Sequence, residues 1–251
     1  MIELKTANEI DCMRRAGRIV AGLLEHLGPL ARPGIKTKQL DERALAYLRQ
    51  HGAQPAFLGY HGYPATICVS VNEEVVHGIP GERKLCSGDV VSLDAGAIVE
   101  GFYADAAITL AVGSVSAEAK RLIDTTREAL AEGIVQAVPG QRLSDISHAV
   151  QQRVERAGFG VVRDFVGHGI GRALHEEPAV PNFGPPHVGP QLQAGMVVAI
   201  EPMVTLGRYE VDVLADGWTA VTRDRSLAAH FEHTVAITGR GPEVLTVNHH
   251  A

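Results

Sequence analysis

Apolar positions recur at helical spacing through residues 6–27, where Ile10, Met13, Val20, Leu23, Leu24 and Leu27 share a face. Thr6 and Glu9 form a capping box at the start, and Gly28-Pro29 stops the helix. A second helix is predicted from about Thr37 to Gln50, with Leu40, Ala44 and Leu48 inward and Gly52 after its end. Segment 55–64 is aromatic and Gly-rich and reads as a loop, 65–71 as a strand, and 72–84 as a loop containing His77. Between Val90 and Gly113 the pattern becomes two β-branched runs around Gly96 and Gly101, a hairpin with a longer loop. Each run holds one carboxylate, Asp94 and Asp105. Asp is disfavoured in strands, and an unpaired carboxylate is costly to bury. Two of them at about 4 Å, with an effective dielectric near 20, repel by roughly 4 kcal/mol. A divalent cation would remove that difficulty; two exposed turn acids are the plain alternative.

The pattern then returns. Ser116 can cap a helix through about Val138, and another runs from Ser144 to Ala157. Pro33-Gly34 matches Pro139-Gly140 at an offset of 106 (139 − 33). At the same offset Leu40, Ala44 and Leu48 match Ile146, Val150 and Val154, and Gly52 matches Gly158. This predicts a duplicated α+β unit, strands packed under helices, related by a pseudo-twofold axis. No Pro/Ser-rich linker intervenes, so 1–251 reads as one catalytic domain with halves at about 8–113 and 114–240. The remainder supplies a strand at 161–166, the run GHGIGRALHEEP at 167–178, and a Pro/Gly-rich loop at 178–190. A strand at 196–204 contains Glu201, a loop contains Trp218, and a strand at 229–238 contains Glu232.

Composition narrows the class. The 251 residues are 45% hydrophobic and 21% charged, enough for a large core. A net charge of −6 gives no basic footprint for nucleic acid. The N-terminal stretch is too charged for a signal peptide, and no apolar run approaches the roughly 18 residues of a membrane span. A cytoplasmic, monomeric enzyme with no membrane partner is the expectation. Cys12, Cys68 and Cys86 are far apart and form no CxxC, so neither a disulfide framework nor a thiolate zinc site is indicated. His249 and His250 read as a polar tail.

Asp94, Asp105, Glu201 and Glu232 all sit among apolar strand residues, and His168 lies between two glycines. Four carboxylates and one imidazole suit a pair of divalent cations, and oxygen-rich ligation favours Mn, Fe(II), Co or Zn over Cu(I). Two metals bridged by a hydroxide would supply an activated nucleophile and a Lewis acid together. GHGIGR does not fit a dinucleotide fingerprint, because Arg172 and Leu174 fall where the third glycine belongs.

The motifs YHGYP, VVHGIP, LDAGA, GFYADAAIT, GHGIGRALHEEP, IEPM and FEHTVAIT resemble those of type I methionine aminopeptidases, nearly from end to end. The resemblance implies the pita-bread fold and removal of the initiator Met from nascent chains whose second residue is small. It implies Asp94, Asp105, His168, Glu201 and Glu232 as metal ligands, with Asp105 and Glu232 bridging both ions, Asp94 on one, and His168 and Glu201 on the other. His77, His175 and Glu201 are implied as catalytic, the two histidines touching the scissile peptide. Phe57, Tyr60, Tyr63, Cys68, Leu174 and Trp218, with His77 and His175, are implied to surround the substrate. Phe57 and Leu174 depart from the residues common in the family. A transient ribosome contact is a further expectation for an enzyme of nascent chains. Rival readings are a prolidase or aminopeptidase P, which share the metal core, and an inactive binding protein on the same fold. His61 and His233 read as structural.

Overall fold

The computed structural model describes residues 2–248, so the His249-His250 tail lies outside the described residues. The first half supplies helices α1 (Ala7–Leu27) and α2 (Thr37–Gln50) and strands β1 (Gln54–Pro55), β2 (Ile67–Val71), β3 (Glu74–Val76), β4 (Val90–Val99) and β5 (Phe102–Ala111). The second supplies α3 (Ala117–Val135), α4 (Leu143–Arg156), β6 (Gly160–Val161), β7 (Gly167–Gly169), β8 (Glu176–Val180), β9 (Val197–Ile200) and β10 (Met203–Thr205). It continues with β11 (Val211–Val213), β12 (Ala220–Thr222), β13 (Ala228–His230), β14 (Glu232–Thr238) and β15 (Gly241–Val244). This is the pita-bread fold, a curled antiparallel sheet flanked by four helices.

The helices start where the sequence pattern predicts. Thr6 Oγ1 accepts from Glu9 N and the Glu9 carboxylate accepts from Thr6 N, closing the capping box of α1. Val20, Leu23, Leu24 and Leu27 of α1 and Leu40, Ala44 and Leu48 of α2 bury against Val69, Val91 and Leu93 of the sheet. Ser116 Oγ accepts from Ala119 N at the start of α3. That helix ends at Val135, short of Val138, because Val138 precedes Pro139 and the pre-proline position disfavours helical backbone.

The duplication is visible in hydrogen bonds. Gly34 N donates to Leu85 O and Thr37 N to Arg83 O; Gly140 N donates to Leu192 O and Leu143 N to Pro190 O. The donors are offset by 106 (140 − 34, 143 − 37) and the acceptors by 107 (192 − 85, 190 − 83). The main sheet runs β1-β4-β5-β14-β9-β7-β8, so the halves join where β5 pairs β14. Ala107 faces Glu232 across that seam, and continuing the register places Asp105 opposite Thr234. Exchanging the halves about this seam carries Asp105 onto Glu232. The 107-residue offset likewise carries Asp94 onto Glu201 (94 + 107).

Several strands depart from expectation. The run 196–204 divides into β9 and β10 around Glu201-Pro202, and these strands enter different sheets. Pro202 has no N–H to give a ladder, which breaks an otherwise continuous apolar run. The run 229–238 divides likewise at Phe231 into β13 and β14. The strand expected over 161–166 is reduced to β6, the loop expected over 72–84 contains β3, and β8 occupies the start of the loop expected from 178. Among the described residues no helix is long and apolar enough to cross a membrane.

Candidate metal and substrate site

Two rungs on one face of the main sheet place the chemistry. Asp94 on β4 and Glu232 on β14 both face Ala107 of the central strand. His233 pairs Ile200, so extending the register by one residue brings Glu201 beside Glu232. On the next rung Gly96 faces Asp105, Thr234 faces Ala199, and Gly169 faces Val198, which sets His168 beside Ala199. Antiparallel partners two residues apart share a face, so Asp94, Asp105, Glu201, Glu232 and His168 converge. Small residues (Ala107, Ala199) between them leave room above the sheet. Glycines let the neighbouring chains approach: a Cβ on Gly167 would lie 2.3 Å from Ala199 O, and one on Gly169 2.2 Å from Glu177 O.

Asp105, His168 and Glu232 each offer a ligand atom within 4.8 Å of the others, and all three are buried. His168 Nε2 stands 3.6 Å from Asp105 Oδ2 and 3.5 Å from Glu201 Oε1. His168 Nδ1 lies 2.8 Å from Gly169 O, and a carbonyl only accepts, so Nδ1 holds the proton. Burial, against that hydrogen bond, pushes the ring down to about 4, so it is neutral. Its Nε2 lone pair therefore faces two carboxylate oxygens, an arrangement of three electron donors. Two ligands about 2.1 Å from one tetrahedral ion would be about 3.4 Å apart, close to both spacings.

The carboxylates agree with this. Burial, then the nearness of Asp105, raises Asp94, and the same causes raise Glu201 and Glu232. Burial raises Asp105 to about 7, against the pull of His175 and Thr234. Asp94 Oδ1 is buried without a hydrogen-bond partner among the described residues. Oxygen donors, one imidazole lone pair and a mutual repulsion that positive charge would cancel fit a divalent cation.

The same pocket holds every substrate residue expected from the sequence. Phe57, Tyr60, Tyr63, Cys68, His77, Leu174, His175 and Trp218 line it together with the four carboxylates and His168. Tyr63 is buried, its hydroxyl donating to Gly78 O at 3.0 Å, and the Trp218 ring stands edge-on to it at 5.1 Å. Burial, then Asp94, pushes the Cys68 thiol up, so it is a neutral soft wall. Tyr60 hydroxyl and His175 Nδ1 are 2.7 Å apart, and the His175 ring lies 4.1 Å from that of His168. His77 closes β3 at a left-handed φ of 60°, and its ring packs edge-on against Phe165 at 5.4 Å. Burial pushes both His77 and His175 down to about 4.

Sequence reasoning missed Val76, Phe165, Val166 and Met203, apolar residues that line the pocket. It also missed Thr234, which bonds Asp105, and His230, whose buried Nε2 is 3.8 Å from Glu201 Oε2 and has no hydrogen-bond partner among the described residues. His61 is exposed, and His233 Nδ1 meets Thr246 Oγ1 at 2.9 Å, away from the cluster.

A carboxylate-and-imidazole floor beneath an apolar side-chain pocket, on a duplicated pita-bread frame, defines a metallopeptidase. The chain belongs to metallopeptidase family M24, whose model matches residues 11–239. It is 55% identical over 247 residues to a methionine aminopeptidase of Clostridium perfringens (strain 13 / Type A), covering 98% of this chain and 99% of the relative. The crystal structure of a methionine aminopeptidase from Thermotoga maritima superposes with a TM-score of 0.97 at 48% identity, over 99% of this chain and 100% of the other. A prolidase from Pyrococcus furiosus shares the fold with a TM-score of 0.80 at 22% identity, and this chain spans 65% of it.

Proposed function

We propose that the chain is a methionyl aminopeptidase that removes the initiator Met from polypeptides whose second residue is small. One observation carries this reading: a pocket walled by Phe57, Tyr63, Cys68, Leu174 and Trp218 opens directly onto the Asp94–Asp105–His168–Glu201–Glu232 cluster. An unbranched thioether suits aromatic, soft walls. The free amine then meets the carboxylates, and only an exposed N-terminus can enter that way.

Asp94, Asp105, His168, Glu201 and Glu232 would hold two divalent cations, of Mn, Fe(II), Co or Zn. Bound there, they supply an acidified water and Lewis acidity toward the scissile carbonyl. His77 and His175 flank the next peptide unit. One donates a hydrogen bond as charge develops on the carbonyl oxygen, and the other assists the departing amine. The second oxygen of Glu201, Oε2, 3.8 Å from His230 Nε2, would hold the proton on its way to that amine. The loops carrying His77 and His175 crowd the second residue of the substrate, which excludes large side chains. The prolidase reading finds support only in the fold. We read the halves, about 8–113 and 114–240, as one catalytic domain working in the cytoplasm as a monomer, with a passing contact to the ribosome.

The test is release of Met from Met-Gly-Met and from a Met-Xaa series by the metal-loaded protein, with bound metal counted. Rapid cleavage of Met-Ala and strong rejection of Met-Trp and Met-Lys are expected. Equal kcat/KM for Met-Ala and Met-Trp, or faster cleavage before proline after a non-Met residue, would overturn it.

A further inference from the structure

The turn that carries His175 is held from outside the pocket by a buried ion pair. Lys5, in the segment before α1, has a side chain only 2% exposed, and its Nζ donates to Glu176 Oε2 at 2.6 Å. The other Glu176 oxygen accepts from the backbone N–H of Arg172 at 2.7 Å and of Ala173 at 3.1 Å. Glu176 is the residue after His175, so its carboxylate folds the 172–176 turn into a closed ring. Gly171 makes this possible: a Cβ there would lie 2.2 Å from Lys5 Cε and 2.8 Å from Glu176 Oε1. Lys5 is itself fixed, its N–H donating to Gly195 O at 2.7 Å. The 172–176 turn reaches the pocket through Leu174 and His175, and the His175 ring is the one that lies beside His168.

We infer that Glu176, anchored by Lys5, is a positioning residue that aims His175 at the substrate. An ion pair with so buried a lysine is weak evidence for stability, since an apolar pair of similar volume often holds a fold as well. Capture of the two turn amides by Glu176 is what an apolar pair cannot reproduce. A misplacement of a reacting group by about 1 Å costs up to a hundredfold in rate. The inference rests on the proposed role of His175 at the scissile peptide.

Two paired variants of the metal-loaded full chain separate the elements. Lys5→Met with Glu176→Gln removes the charges and keeps an oxygen for the amides; Lys5→Met with Glu176→Leu removes both. On a Met-Ala peptide the Gln pair is expected to keep kcat within about threefold. The Leu pair should lose about tenfold or more in kcat, with KM and metal content little changed. In a His175→Ala background the difference between the pairs should vanish, because coupled sites are non-additive. Equal rates for the two pairs, or an undiminished difference without His175, would overturn the inference. Hydrogen exchange of the unmodified protein is an independent check should the Leu pair fail to fold. Arg172 and Ala173 amides are expected to be protected, and exchange as fast as exposed turn amides would overturn it too. A wild-type chain that releases no Met from any peptide would instead defeat the aminopeptidase reading.

Discussion

Thr234 Oγ1 is shared between the backbone and side chain of Asp105: it accepts from Asp105 N at 3.0 Å and lies 3.2 Å from Asp105 Oδ1 and 2.8 Å from Asp105 O. Both residues are buried. The hydroxyl thus ties the Asp105 backbone, and more weakly one edge of its carboxylate, from across the seam between the halves. Thr234→Val keeps the shape and removes the oxygen. It leaves a buried N–H unpaired, at a cost of about 1–3 kcal/mol. Metal affinity should fall about tenfold to a hundredfold, as when the partner of a ligand is lost. Metal titration by calorimetry and a melt of the metal-stripped protein check it. Unchanged values in both would show that Asp105 needs no such support.

Asp94 gives a pH-dependent prediction for the metal-stripped protein. Burial first, then repulsion by Asp105, raises its pKa above the ordinary carboxylate value. A carboxylate raised in the folded state destabilises that state once the pH exceeds about 4, the unfolded value, and increasingly so until the folded pKa is passed. Asp94→Asn should therefore melt higher than wild type at about pH 8, and the gap should narrow toward pH 4. Comparing the two proteins at each pH cancels the contribution of the buried histidines. With metal added the order should reverse. A gap that widens on acidification would contradict the placement of Asp94.

His77 and His175 line the pocket beside the carboxylate cluster. His77→Ala and His175→Ala are each expected to retain metal and lose about 10² to 10³ in kcat. Elemental analysis beside steady-state kinetics decides the matter. Metal lost in proportion to rate would make them ligands or supports.

Asp145 tests the duplicated frame away from the chemistry. One oxygen accepts from Arg142 N at 2.7 Å, capping α4, and the other from His187 N at 2.8 Å, tying down the loop before β9. Burial alone would raise its pKa, but the hydrogen bonds from Arg142 and His187 prevail and lower it. Its stabilisation is present above about pH 4 and is lost as the pH falls through the lowered value. Asp145→Ala should cost about 1–2 kcal/mol at pH 7 by urea unfolding, with kcat unchanged. A change in kcat without loss of stability would tie this loop to catalysis instead.

The helices were legible because caps and periodicity are local: Thr6 with Glu9, and Ser116 before an apolar face. The repeat was legible because Pro33-Gly34 and Pro139-Gly140 mark the same turn twice. The acids stood out as charges in apolar strands, a local conflict of the kind expected at functional or strained sites. Thr234 and His230 were not, since their value depends on which strand lies opposite, and register is absent from a single strand's pattern. The divisions at Pro202 and Phe231 were hidden by apolar runs that continue through a change of sheet. Lys5 looked like one more charged residue of a polar N-terminus, and its burial depends on Glu176, far along the chain.

The β5–β14 seam divides the five cluster residues, two from the first half and three from the second. Neither half contains a usable centre. A backbone cut at the exposed Gly113-Ser114 turn would part Asp94 and Asp105 from His168, Glu201 and Glu232. The enzyme is in that sense a covalent heterodimer, and a cation held there would be a rivet through its interface.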